Sequence, residues 1–66
     1  MEMDYMCVHP ATQADVDKIE ALLMSKDGVD LIAWDASKEH FEIHFDTPVN
    51  MDILEKEVYD AGYTIL

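Results

Sequence analysis

Apolar residues at helical spacing mark residues 12–29 as an amphipathic helix. The apolar stripe consists of Val16, Ile19 and Leu23, with Leu22 widening it, and this pattern places one face against a core. Thr12 is a favoured N-cap, and Asp15 three residues later can complete a capping box. Gly28 follows the last turn, where glycine adopts the left-handed conformation without strain. A helix of this length is marginal alone, so other segments must cover its apolar face.

Three further segments have the pattern of β-strands. Residues 3–8 predict a first strand, with Tyr5 and Cys7 on the side that faces the core. Residues 29–35 and 40–45 predict a hairpin. In residues 40–45 apolar and polar residues alternate strictly, which is the pattern of a strand with one buried and one wet face.

A second helix follows Asn50, a favoured N-cap, and ends at Gly62. Residues 63–66 then predict a short closing strand. The order β-α-β-β-α-β predicts an α+β fold, a ferredoxin-like sandwich in which two helices cover one face of a four-stranded antiparallel sheet. The expected strand order is fourth, first, third, second. The predicted core consists of Tyr5, Cys7, Val16, Ile19, Leu23, Val29, Ile32, Trp34, Phe41, Ile43, Phe45, Leu54, Val58 and Ala61.

Length and charge narrow the possible functions. Sixty-six residues predict a single domain, residues 1–66, with a thin core. The net charge of −11, with four basic residues, argues against binding to nucleic acid or directly to an anionic membrane, and favours cations or a basic protein as partner. One cysteine allows no internal disulfide, and no apolar run is long enough for a signal or membrane segment. We therefore expect a cytoplasmic protein. No nucleophile with a placed base is visible, so we do not expect an enzyme.

The chain resembles the heavy-metal-associated domains of copper chaperones and of metal-pumping P-type ATPases. The resemblance covers most of the chain. It is carried by residues 16–23 (VDKIEALL) as the first helix, 27–29 (DGV) as the helix exit, 41–46 (FEIHFD) as the third strand and 61–63 (AGY) as the closing turn. It implies the same fold and a role in metal transport.

This chain departs from the family pattern in the metal-binding loop before the first helix. The family has Gly-Met-x-Cys-x-x-Cys before the first helix, where this chain has residues 9–15 (HPATQAD), so Thr12 and Asp15 replace the two cysteines. Two thiolates at a helix N-terminus suit monovalent copper, because the helix dipole lowers their pKa and sulfur is a soft ligand. A hydroxyl and a carboxylate do not replace them. We expect the fold to carry over without the usual copper site.

Histidine offers another metal site. If the end of the first strand meets the start of the third, His9 and His40 approach each other there, with Asp15 or Glu42 as a carboxylate ligand. Such a set suits zinc, nickel or cobalt. The residues also have structural explanations: the capping box accounts for Asp15, and a solvated sheet face accounts for His40 and Glu42. Cys7 is expected to be a small buried hydrophobe.

The sequence thus supports two functions. The first is a metal-trafficking domain that binds a divalent ion through His9, His40, Asp15 or Glu42. The alternative is a metal-independent interaction module that docks its acidic surface on a basic partner, such as a domain of a metal transporter.

Overall fold

The computed structural model describes all of residues 1–66 as five elements and their connections. In chain order these are β1 Glu2–Cys7, α1 Gln13–Met24, β2 Val29–Asp35, β3 His40–Phe45 and α2 Met51–Asp60. The predicted bounds of β2 and β3 are confirmed. Both helices begin directly after the predicted caps, Thr12 and Asn50. Neither helix has the length and apolar character needed to cross a membrane.

The sheet is antiparallel with the order β1-β3-β2. The prediction of four strands is wrong, because residues 63–66 reach the sheet at one point only. Val8 forms a single bridge with Ile65, and the amide of Leu66 donates to the carbonyl of Cys7 over 3.0 Å. One bridge does not make a ladder, so the closing segment is an extended tail beside β1. Its position on the outer side of β1 agrees with the predicted order.

The core is one cluster between the helices and the inner face of the sheet. Its eleven residues are Met6, Val8, Val16, Ile19, Leu23, Phe41, Ile43, Phe45, Val49, Leu54 and Val58. The predicted buried stripes of α1, β3 and α2 are confirmed, except that Ala61 is the C-cap of α2 and only partly buried. Val29, Ile32 and Trp34 pack against the cluster but stay partly exposed, because β2 is an edge strand. Val49, in the loop before α2, was not predicted.

The facing of β1 was predicted wrongly. Met6 and Val8 are buried, whereas Tyr5 is 47% exposed and Cys7 is partly exposed on the opposite side. Both sides of β1 carry apolar residues, so alternation alone could not choose between them. The pairing with β3 decides, because Met6 lies opposite the buried Phe41 and must share its face.

Gly28 has a positive φ of 105°, as predicted, although α1 already ends at Met24 with Ser25 as its C-cap. Gly28 instead lies in the turn that leads into β2. A Cβ at this position would lie 2.5 Å from the carbonyl oxygen of Asp46. The carbonyl of Gly28 also accepts a 2.7 Å hydrogen bond from the Asp46 amide, which ties the start of β2 to the end of β3.

The register of β1 is tested by two methionines on opposite faces of the strand. Met6→Ala should lower the free energy of unfolding by about 2–5 kcal/mol, because it leaves a cavity in the core. Met3→Ala, at a side chain that is 48% exposed, should change it by about 0.5 kcal/mol or less. Urea unfolding followed by circular dichroism measures both. Equal losses in the two variants would contradict the register.

Candidate functional site

The loop before α1 is closed by the capping box that its sequence predicts. The hydroxyl oxygen of Thr12 accepts a 3.2 Å hydrogen bond from the Asp15 amide. In return, the Thr12 amide donates to Oδ2 of Asp15, also over 3.2 Å. The two residues that stand at the cysteine positions of the resembled family therefore satisfy each other.

Tyr63 completes this network from the other end of the chain. Its hydroxyl donates to Oδ1 of Asp15 over 2.9 Å, across 48 residues of sequence. The bond from Tyr63, supported by those from Thr12, holds the pKa of Asp15 below its ordinary value of 3.8. Burial, together with the adjacent Asp15 carboxylate, raises the pKa of Tyr63. The sequence did not reveal this role of Tyr63, because only the return of the chain after α2 brings it to the loop.

The closed network determines what the loop can bind. Both carboxylate oxygens of Asp15 accept hydrogen bonds, and no thiolate is present among residues 9–15. A cation at Asp15 would compete with the hydrogen bonds from Tyr63 and Thr12 for the carboxylate oxygens. These residues do not fit monovalent copper, which prefers soft ligands.

A second group of polar residues lies where β1 ends and β3 begins, which we call the β1–β3 rim: Cys7, His9, Glu39 and His40. Cys7 lies directly opposite His40 in the register. Nδ1 of His9 is 2.5 Å from Oε2 of Glu39, with both side chains more than half exposed. The end of the first strand and the start of the third thus meet, as the strand order predicted.

The four predicted metal ligands are engaged in separate contacts. His9 contacts Glu39, Asp15 binds Tyr63 and Thr12, and Oε2 of Glu42 lies 2.6 Å from Nε2 of His44. The ring of His40 stacks on Tyr5, with ring centroids 4.5 Å apart. No three histidine, cysteine, aspartate or glutamate side chains are grouped so that they could hold one metal ion.

Cys7 and Glu39 are the rim residues that sequence reasoning missed as partners of the histidines. Cys7 was assigned to the core by the wrong facing of β1. Glu39 precedes β3 and has a positive φ of 53°, which is uncommon for a residue with a side chain. Its proximity to His9 could have been inferred from the predicted pairing of the strand ends.

Two COP-associated proteins are similar to this chain over most of its length. The chain is 31% identical over 65 residues to the COP-associated protein of Helicobacter felis, with 98% of each chain covered. It is 33% identical over 51 residues to the COP-associated protein of Helicobacter pylori, with 77% of each covered. This chain belongs to the heavy-metal-associated domain family. No family model matches it.

Solved structures of heavy-metal-associated domains share this fold. The solution structure of apo-CopP from Helicobacter pylori has a TM-score of 0.86 at 26% identity, covering 98% of this chain and all of that one. A CsoZ metallochaperone has a TM-score of 0.89 at 23% identity, covering 98% and 96%. The heavy-metal-associated architecture is therefore kept around a loop that lacks both cysteines of the family pattern.

The bond from Tyr63 to Asp15 predicts a specific acid response. Because the pKa of Asp15 is lowered in the folded state, its ionised form stabilises the fold above the unfolded pKa, and this stability is lost as the pH falls through the lower folded value. Tyr63→Phe should raise the pKa of Asp15 and flatten the acid loss of stability. Carboxyl titration by NMR measures the pKa, with Tyr59→Phe at an exposed position as the control. An unchanged Asp15 titration in Tyr63→Phe would show that the bond is not formed in solution.

The loss of copper capture by the loop should be reversible. The double variant Thr12→Cys, Asp15→Cys restores Cys-x-x-Cys at the N-terminus of α1, where the helix dipole favours thiolates. We expect it to gain monovalent copper binding in competition with a chromophoric chelator, with some loss of stability from the broken capping box. Thr12→Ser with Asp15→Glu keeps the cap and should gain no copper binding. A double-cysteine variant that folds but binds no more copper than the wild type would mean that the loop backbone does not place the two thiols as the family's loop does.

Proposed function

We propose that this protein handles metal as a heavy-metal-associated domain whose ion binds at the β1–β3 rim instead of in the loop before α1. The ion is divalent, and His9 and His40 are its ligands. Two observations support the proposal. The chain has the fold of a metallochaperone, and the rim carries two of the three histidines of the chain.

The observation that supports it most is the contact between His9 and Glu39. Glu39 directly precedes His40 in the chain, so this contact holds His9 near the start of β3, where His40 lies. Both partners are more than half exposed, so an ion can reach them from solvent. Imidazole nitrogen and carboxylate oxygen together suit zinc, nickel and cobalt.

Glu39, which contacts His9, takes the place of the predicted carboxylates Asp15 and Glu42 as the acidic partner of the proposed site. Asp15 already accepts bonds from Thr12 and Tyr63, and Glu42 is paired with His44. Glu39 contacts the Nδ1 atom of His9 and can keep that contact while the other ring nitrogen of His9 binds the ion. With so few protein ligands, water or a group from a partner protein completes the coordination, and weak binding of this kind suits transfer of an ion rather than its storage.

Titration with zinc chloride tests the proposal. The ring signals of His9 and His40 in NMR spectra should shift together, and those of His44 should move only at higher concentration. By calorimetry, His9→Ala should weaken binding of zinc by roughly tenfold or more, since even the outer partners of metal ligands typically contribute 10–100-fold. His44→Ala is the matched control, because it removes a histidine at the far end of β3.

Histidine signals that stay unmoved in excess zinc would exclude the rim as a metal site. An equal loss in His9→Ala and His44→Ala would point instead to nonspecific binding by the acidic surface.

The second candidate is the metal-independent docking module, which the closed network of Thr12, Asp15 and Tyr63 favours. A loop already satisfied by hydrogen bonds is ordered without an ion and could present the α1 end to a partner. The net charge of −11 selects a basic partner, such as a domain of a metal transporter. Binding of such a domain that is unchanged by a chelator, together with unmoved histidine signals, would favour this function over the first.

A further inference from the structure

The register of β1 gives Cys7 a position that differs from that of an ordinary core cysteine. Its two neighbours, Met6 and Val8, are 1% and 0% exposed on the inner face. Since successive strand residues point to opposite faces, Cys7 lies on the outer face of the sheet. It is a free thiol and is partly exposed. The thiol of Cys7, a soft metal ligand, is therefore accessible from solvent, whereas the loop before α1 has no thiol.

His40 lies on the same face, directly opposite Cys7. Directly opposed residues of an antiparallel pair have Cβ atoms about 4.5–5.5 Å apart. At that separation a sulfur from one side chain and a ring nitrogen from the other can reach a common ion. The register thus brings one thiol and one imidazole together without any change of backbone.

The imidazole of His40 is also free to act as a ligand. His9 is paired with Glu39 and His44 with Glu42, whereas neither nitrogen of His40 has a hydrogen bond or an ion pair. Stacking on Tyr5 holds its ring on the outer face. His40 is therefore the one histidine of the chain that a metal can bind without breaking an existing polar contact.

We infer that Cys7 and His40 form a binding site for monovalent copper on the outer face of the sheet. Thiolate and imidazole both suit monovalent copper. Zinc accepts the same donor types but is almost always held by four ligands, whereas monovalent copper can be held by two, so a pair of donors favours copper. Binding converts the Cys7 thiol to a thiolate and releases its proton to solvent, with no change in the oxidation state of the metal. The inference rests on the proposed function only in assigning metal handling to the β1–β3 rim with His40 as a ligand, and it pairs His40 with Cys7 for a monovalent ion instead of with His9 for a divalent one.

Monovalent copper, kept reduced under anaerobic conditions, is titrated into the protein against a chromophoric chelator. The wild-type chain should bind one equivalent and show a thiolate-to-copper absorption in the ultraviolet. Cys7→Ser and His40→Ala should each weaken binding by roughly tenfold or more, and Cys7→Ser should lose the absorption. His44→Ala is the matched control on the same face and should bind like the wild type. Urea unfolding of every variant confirms that each one folds.

The outcomes separate this site from the divalent site. Loss of copper binding in Cys7→Ser with zinc binding intact supports both proposals, since His9 and Glu39 do not need the thiol. Copper binding without zinc binding supports the Cys7 and His40 site while the proposed divalent ion fails. A folded Cys7→Ser variant with wild-type copper affinity, or a wild-type chain that takes up no copper, would overturn the inference.

Discussion

The antiparallel pairing of β1 with β3 is the interaction on which the rest of the structure depends. It places Met6 opposite Phe41 inside the core and Cys7 opposite His40 outside it. A shift of one residue would exchange the two faces, burying Cys7 and exposing Met6. The same pairing brings the end of β1 to the start of β3, so that His9 contacts Glu39. Core packing and the candidate metal chemistry thus have one common cause.

The loop before α1 shows how a family site can be replaced while its fold is kept. The N-terminus of a helix presents unpaired amides, and these can be satisfied by capping side chains as well as by bound ions. In this chain Thr12 and Asp15 cap the helix, and the hydroxyl of Tyr63 fixes the carboxylate from across the fold. These hydrogen bonds order the loop without a metal ion. The soft-metal chemistry of the loop is lost with the thiols.

The loop before α1 has no thiol, whereas the β1–β3 rim carries the one cysteine of the chain and two of its three histidines. Its thiol, imidazole and carboxylate groups are arranged in pairs, and no three of them are grouped to enclose an ion. Paired donors on an open sheet face favour weak, exchangeable binding over a closed structural site. The surplus of carboxylates over the whole surface would meanwhile steer cations and basic partners toward the protein.

The sequence by itself determined where both helices begin, the bounds of β2 and β3, and the buried stripes of α1, β3 and α2, because these follow from local periodicity and N-cap chemistry. Only the tertiary structure decided the facing of β1, since both of its sides are apolar and the choice belongs to the pairing with Phe41. It also reduced the closing segment to one bridge and brought Tyr63 to Asp15. Contacts between residues so far apart in sequence leave no periodic signal, because they depend on how the elements pack and not on the pattern within any one of them.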